Sequence, residues 1–228
     1  ARRLDSPVCA SATPWRARQA GLTWLCNPNN PTGELLPLEF IAEVAQATSG
    51  VLVVDEAYFE MSGVTALPLI ESMPNVVISR TLSKAFGLAG VRVGYSLAGP
   101  AISDALRRVR PPGSISVVSE ALGARSLRDL EGMRKRIAII ASERERLRAE
   151  LIGLGIEVRD SAANFLLVHA GRAAAPALLK SGLVVRTFGV GHPLAEYIRV
   201  TVRKPEENGR LIEALRRFRT QPASAHGR

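Results

Sequence analysis

The sequence has little cysteine, little lysine and few aromatic residues. Its 228 residues include only two cysteines, which excludes a disulfide framework and favours a reducing compartment such as the cytoplasm. Aromatic residues make up 5% of the chain, and the arginines form no basic block, so we expect no nucleic-acid binding despite a net charge of +9. Apolar runs such as Val51–Val54 are short. We therefore expect neither a membrane span nor a secretory signal.

Apolar runs that alternate with helical patterns predict an α/β fold. The segments Leu22–Cys26, Val51–Val54, Val76–Ser79 and Val91–Ala98 are typical of strands. The last three are apolar on both faces, as in a buried parallel sheet. We therefore predict a three-layer sandwich around a mostly parallel sheet.

The pattern changes after Pro111-Pro112-Gly113. A long helical pattern follows, and then short strand patterns at residues 157–159, 165–168, 184–187 and 197–202. We predict a large domain over residues 1–128 and a smaller α+β domain over residues 129–228, which includes the connecting helix. The charged run from Glu143 to Arg148 is interpreted as a solvated helix face.

Three polar clusters follow the predicted strands. They are Asn27–Gly33 (AsnProAsnAsnProThrGly), Asp55–Tyr58 (AspGluAlaTyr) and Ser79–Lys84, which runs into a glycine-rich segment. Each has a structural explanation of its own, as a turn, a helix cap or a surface lysine. Open α/β sheets bind their ligands at the carboxyl ends of the strands, so we expect the clusters to meet there.

Together the clusters supply an amine, a carboxylate and groups that can hold a phosphate. Lys84 is one of only four lysines, and Asp55 ends an apolar strand. Thr81, Ser83 and Arg92 offer two hydroxyls and a guanidinium fork. This combination matches the needs of pyridoxal 5′-phosphate.

The three motifs, in this order, resemble those of fold-type I pyridoxal-phosphate enzymes, the class I and II aminotransferases. Within that group, the motifs most resemble those of the histidinol-phosphate aminotransferase branch and of the similar threonine-phosphate decarboxylases. The resemblance extends from about Leu22 to Phe218. It implies that Lys84 is the catalytic residue that binds the cofactor covalently and transfers the substrate proton, and that Asp55 pairs with the pyridine nitrogen.

The resemblance also implies the remaining roles in the site. The cofactor-binding residues it implies are Asn30, Asp55, Tyr58, Thr81, Ser83, Lys84 and Arg92. The substrate-binding residues it implies are Arg199 for a carboxylate, Arg186 for a phosphate, and Asn164 in the pocket. No metal is expected, because the three histidines form no cluster.

Three functions stay open from the sequence. The first is transamination of a histidinol-phosphate-like amino acid or amino alcohol phosphate with a 2-oxo acid, in amino-acid biosynthesis and in a homodimer. The second is decarboxylation of an amino-acid phosphate at the same site. The third is a catalytically incomplete fragment or binding module, because family members extend further at the N-terminus. Residues 1–20 contain none of the additional cofactor contacts expected there.

Overall fold

The computed structural model describes residues 20–220, and most of its strands lie on apolar runs of the sequence. The strands are β1 Leu22–Cys26, β2 Val51–Asp55, β3 Val76–Thr81, β4 Gly94–Ala98, β5 Glu157–Val158, β6 Phe165–His169 and β7 Tyr197–Thr201. The helices are α1 Leu38–Ala47, α2 Phe59–Ser62, α3 Leu69–Ser72, α4 Pro100–Val109, α5 Val117–Arg128, α6 Leu130–Gly153, α7 Ala174–Lys180 and α8 Pro205–Thr220. None of these helices is long and apolar enough to cross a bilayer.

The first sheet has the strand order β1-β2-β3-β4. Strands β1, β2 and β3 are parallel, and β4 is antiparallel to β3. The predicted α/β fold with a mostly parallel sheet is confirmed, but the expectation that Val91–Ala98 is another buried parallel strand is wrong. The link from Thr81 to Gly94 holds only a short 3₁₀ turn. A parallel strand needs a crossover connection of a dozen or more residues, usually a helix, whereas an antiparallel one does not.

One face of this sheet is buried under helices. The core on this face consists of Leu25, Ile41, Val44, Ala45, Leu52, Val54, Ala66, Val76 and Ile78. Full burial of each large apolar side chain contributes about 1.5–3 kcal/mol. Because side chains alternate along a strand, Asp55, Ser79 and Thr81 face away from this core.

Strand β1 forms one edge of the described sheet. Two of its large apolar side chains are exposed, Leu22 by 60% and Trp24 by 55%. Edge strands with exposed apolar side chains are prone to pair with other chains, so this edge is an aggregation risk for the described part of the molecule.

The second sheet is antiparallel, with the order β5-β6-β7. Its helix-facing residues alternate along β6 and β7 and pack against α6, α7 and α8. This core consists of Leu147, Leu151, Ile156, Val158, Leu166, Val168, Ala174, Leu178, Ile198, Val200, Leu211, Ile212 and Leu215. The predicted strand at residues 184–187 is reduced to a single bridge between Arg186 and Arg199.

The chain divides into two compact units. The first contains the segment up to Asn30 and Glu34–Ile137, and the second contains Pro31–Gly33 and the segment from Ala138 onward. The division falls within α6. The sequence-based domain limits, 1–128 and 129–228, stay a prediction.

A buried carboxylate joins two helices of the second unit. Glu143 of α6 is only 7% exposed, so the interpretation of its neighbourhood as a solvated face is wrong at this residue. Arg146 Nε donates to Glu143 at 3.0 Å, and Asn208 Nδ2 of α8 donates to Glu143 Oε1 at 3.0 Å. The hydrogen bond from Arg146 is the main cause that lowers the pKa of Glu143.

We predict that Glu143→Gln destabilises the chain by about 1–3 kcal/mol at pH 7, because Arg146 loses its charged acceptor. A lowered folded-state pKa gives stability that is present above the unfolded value of about 4.3 and is lost as the pH falls through the folded pKa. The difference between the variant and the parent chain should therefore shrink in acid. Urea unfolding at a series of pH values measures this, with the exposed Glu145→Gln as control. A loss that is equal at pH 7 and pH 3 contradicts the assignment.

Candidate active site

The end of β2 places a carboxylate between two neighbouring strands. Asp55 is the last residue of β2 and is aligned with Cys26 of β1 and Ser79 of β3. Its Oδ1 accepts a hydrogen bond from the backbone N–H of Ala57 at 3.0 Å, and its side chain is half-buried. The turn therefore fixes the carboxylate at the C-terminal edge of the parallel strands.

The amine of Lys84 lies close to the aromatic ring of the second cluster. Leu82 and Phe86 are buried in a small core with Met133, whereas Lys84 between them is exposed. The Nζ atom of Lys84 lies 5.4 Å from the centre of the buried Tyr58 ring, within cation–π range. Buried neighbours thus anchor the loop and direct one amine toward the Asp55–Tyr58 segment.

Two hydroxyl groups lie side by side at the start of this loop. Thr81 Oγ1 donates to Ser83 Oγ at 2.9 Å and accepts the backbone N–H of Ser83 at 3.1 Å. Arg92 closes the 3₁₀ turn with a left-handed backbone (φ 55°), and its Nη1 donates to the carbonyl of Ala89 at 3.2 Å. A non-glycine residue in this conformation costs of order 1 kcal/mol or more and is common at ligand sites.

The first cluster forms a closed loop beside Asp55. The backbone N–H of Asn27 donates to the carbonyl of Asp55 at 2.9 Å, and that of Asn29 donates to the carbonyl of Glu34 at 2.8 Å. These bonds hold the loop that presents the exposed Asn30. The end of the first sheet thus gathers the loops that carry all seven predicted cofactor residues. What each residue binds stays a prediction.

The predicted substrate residues belong to the second unit. Arg186 and Arg199 lie directly opposite each other, and their backbones exchange two hydrogen bonds of 3.1 and 2.9 Å. The Arg199 guanidinium lies 5.1 Å from the Phe165 ring centre. The carbonyl of Asn164 accepts the N–H of Val202 at 2.9 Å, which places Asn164 at the end of the neighbouring strand.

A positively charged pocket borders this bridge. Its volume is about 370 Å³. Arginines 186, 199, 203 and 210 all line it, and its one carboxylate, Glu207, accepts from Arg203 Nε at 2.7 Å. A pocket of this composition suits an organic anion.

Sequence reasoning missed a buried ion pair next to the predicted site. Arg80 donates to Glu56 through Nε at 2.9 Å and through Nη2 at 2.8 Å. Glu56 is fully buried and Arg80 is 9% exposed. Each residue is a direct chain neighbour of a predicted cofactor residue, Asp55 or Thr81. The sequence does carry a signal for this pair. Glu56 comes two residues after the core-facing Val54, and Arg80 comes two residues after the core-facing Ile78. Alternation along the strands therefore places these opposite charges on the same face of the sheet.

Cys26 lies beside Asp55 in the sheet register. Burial raises the pKa of its thiol, and the negative charge of Asp55 raises it further. The thiol is therefore a natural reporter of the charge at Asp55. Among the described residues no group of histidine, cysteine and carboxylate side chains could hold a metal ion. The other cysteine, Cys9, lies outside the described residues.

The chain belongs to the family of class I and II aminotransferases, whose family model matches residues 11–215. It is 42% identical over 220 residues to histidinol-phosphate aminotransferase of Thermobifida fusca, in an alignment covering 93% of this chain and 58% of that enzyme.

Solved structures show the same fold. The structure of histidinol-phosphate aminotransferase from Sinorhizobium meliloti in complex with pyridoxal 5′-phosphate has a TM-score of 0.79 at 32% identity and covers 87% of this chain and 58% of that one. The structure of L-threonine-O-3-phosphate decarboxylase from Porphyromonas gingivalis has a TM-score of 0.73 at 27% identity. The match covers 86% of this chain and 64% of that one. The chain thus spans less than two thirds of the length of these relatives.

We predict that alkylation of Cys26 reports the charge of Asp55. In a Cys9→Ser background, the pH midpoint for reaction with iodoacetamide should lie above the usual thiol value of about 8.5. Asp55→Asn should lower the midpoint, because it removes the negative charge that disfavours the thiolate. It should not restore the usual value, because burial is the larger cause. Glu71→Gln, at an exposed position of helix α3, serves as control. A midpoint that is unchanged in Asp55→Asn contradicts the proximity.

Proposed function

We propose that the chain carries the pyridoxal-phosphate site of an aminotransferase. The observation that supports this most is the placement of an amine, a carboxylate and paired hydroxyls at one sheet end. The Lys84 amine lies 5.4 Å from the Tyr58 ring centre, and Asp55 sits three residues before that tyrosine. The chemistry of these donors fits the cofactor, which needs an amine for its aldehyde, an anion for its ring nitrogen and donors for its phosphate.

Pyridoxal phosphate, when bound, supplies an electron-withdrawing ring that stabilises negative charge at the substrate Cα. The protein side chains do the rest. Lys84 would hold the cofactor and would carry a proton from and to the substrate carbon. Asp55 would pair with the ring nitrogen and favour its protonated form. Asn30 and the hydroxyl of Tyr58 would hydrogen-bond the ring oxygen.

The phosphate of the cofactor is assigned to the loop after β3. The hydroxyls of Thr81 and Ser83 are 2.9 Å apart, which lets both contact one phosphate. Arg92 adds a positive charge from the turn before β4. Its backbone already has the left-handed conformation that the turn requires.

The substrate is proposed to be a histidinol-phosphate-like amino alcohol phosphate, with a 2-oxo acid as the second substrate. The bridge between Arg186 and Arg199 supports a doubly charged anion, because two guanidinium side chains start from opposed positions. Asn164, which directly precedes β6, is also assigned to substrate binding. This assignment places the activity in amino-acid biosynthesis.

We further propose that the enzyme works in the cytoplasm as a homodimer. The low cysteine content supports a reducing compartment. Helix α5 exposes Val117 by 82% and Val118 by 68%, which suits a protein contact. Sedimentation of the purified chain measures the mass of the assembly, and a monomer at micromolar concentration contradicts the dimer.

Decarboxylation of an amino-acid phosphate is a second candidate. The structural likeness to the Porphyromonas gingivalis decarboxylase favours it, and the same lysine, carboxylate and arginine set would serve. Incubation with the amino compound and a 2-oxo acid separates the two activities. Transamination yields a new amino acid, whereas decarboxylation releases carbon dioxide. Absence of both products, with cofactor bound at Lys84, favours a binding module.

We predict that borohydride fixes pyridoxal phosphate on Lys84. The purified chain is incubated with the cofactor, reduced with borohydride and digested with a protease. The labelled peptides are then identified by mass spectrometry. The label should lie on the peptide that contains Lys84 and should be lost in Lys84→Ala. Lys180→Ala, at the end of α7, should keep it. Equal labelling of several lysines contradicts a specific site.

We also predict that Arg199→Lys weakens binding of the carboxylate-bearing 2-oxo acid by roughly 1.5–3 kcal/mol, or 10- to 150-fold, because a fork becomes a point charge. The loss should appear in kcat/KM. Arg172→Lys, whose arginine pairs with Glu196 on the surface, should match the parent chain. Wild-type kinetics in Arg199→Lys would show that this arginine does not bind the substrate.

A further inference from the structure

Glu56 and Arg80 form a buried ion pair next to the candidate site, and further hydrogen bonds hold both side chains. Besides the two bonds from Arg80, Glu56 accepts the backbone N–H of Ala66 at 2.6 Å and the hydroxyl of Thr65 at 2.9 Å. Arg80 Nη2 also lies 2.8 Å from the hydroxyl of Thr65. Every one of these contacts lies within the first unit.

The pair lies on the opposite face of the sheet from the predicted cofactor residues. Arg80 alternates with Ser79 and Thr81 along β3, and Glu56 follows Asp55. The backbone N–H of Glu56 donates to the carbonyl of Ser79 at 2.8 Å, so β2 and β3 are still paired there. A constraint on one face therefore fixes the direction of the side chains on the other.

The pair also fixes the helix that follows Tyr58. The guanidinium carbon of Arg80 lies 3.6 Å from the centre of the Phe59 ring, in the first turn of α2. Phe59 is bonded covalently to Tyr58, whose ring contacts Lys84. One arginine thus connects the end of β3 with α2.

Glu60 is the other carboxylate that acts on Arg80. It is half-buried, and burial raises its pKa, while the charge of Arg80 opposes that rise. Within the described part of the chain, Glu60 forms no ion pair with Arg80, whereas Glu56 accepts two hydrogen bonds from it. Glu56 is therefore the partner that balances the charge of Arg80.

We propose that Glu56 and Arg80 are a positioning pair, which holds Asp55 and Tyr58 in register with the Thr81–Lys84 loop so that one cofactor can contact all of them. The proposal rests on the proposed function of the site. Buried ion pairs often add little net stability compared with apolar residues of similar size. The contribution we assign to this pair is therefore geometry rather than stability, and a displacement of about 1 Å between reacting groups can cost about 100-fold in reaction rate.

The test compares stability with cofactor binding in the full chain, in a Cys9→Ser background. The double variant Glu56→Leu/Arg80→Met removes both charges, so that neither is left buried and unpaired. We expect a cooperative urea transition close to that of the parent chain. We expect the dissociation constant of pyridoxal phosphate to rise roughly 10- to 100-fold, the scale of one charged hydrogen bond lost, and borohydride labelling of Lys84 to fall with it. A double variant that binds and labels like the parent chain overturns the proposal.

Two further variants separate positioning from folding. Glu143→Leu/Arg146→Met removes the ion pair between Glu143 and Arg146 in the second unit. It should leave the affinity for the cofactor unchanged, even where it lowers the stability of the chain. Arg80→Lys keeps the charge but loses the fork and the stacking on Phe59. If the double variant does not fold, Arg80→Lys decides. Weaker cofactor binding in a folded Arg80→Lys chain supports the proposal, and unchanged binding overturns it.

Cys26 gives a measurement that does not depend on the cofactor. If the parent chain shows no labelling of Lys84, the proposed function fails, and the rate of Cys26 alkylation at a fixed pH then decides on the positioning pair. Displacement of Asp55 from the thiol should speed alkylation at least about twofold in a folded Arg80→Lys chain, because the thiolate is less disfavoured. An unchanged rate overturns the positioning role on its own.

Discussion

Parallel pairing of β1, β2 and β3 is the constraint on which the candidate site depends. The register that aligns Cys26, Asp55 and Ser79 brings the ends of three strands to one edge of the sheet. The residues that follow each strand must then start from neighbouring positions, although they lie up to about sixty residues apart in the sequence. The buried core under the sheet fixes this register, since a slip of one residue would turn Leu52 and Val54 out of the core.

The sequence allowed the three clusters and the strands before them to be predicted, because both depend on local patterns. Asp55 directly follows an apolar run, and the glycines that follow Lys84 permit a tight turn there. The family and its fold followed from the motifs and are confirmed. What each of these residues binds stays a prediction, since it depends on groups outside the chain.

Other features depend on contacts between distant segments and could not be predicted from local patterns. Glu143 lies in a charged run, but it is buried and accepts a hydrogen bond from Asn208 of the distant helix α8. Val91–Ala98 has the composition of a buried strand, but its short connection makes it antiparallel. The ion pair of Glu56 and Arg80 needs the pairing of two strands and the return of the chain at Thr65. For Glu143 and Glu56 the deciding partner lies 65 and 24 residues away in sequence.

The central claim is that Lys84 and Asp55 contact opposite ends of one pyridoxal phosphate. A crystal structure of the full chain grown with the cofactor tests it most directly. We expect the aldehyde carbon to be bonded to Lys84 Nζ and the ring nitrogen to lie about 3 Å from the carboxylate of Asp55. A cofactor bound at another lysine, or with its ring nitrogen turned away from Asp55, would contradict it.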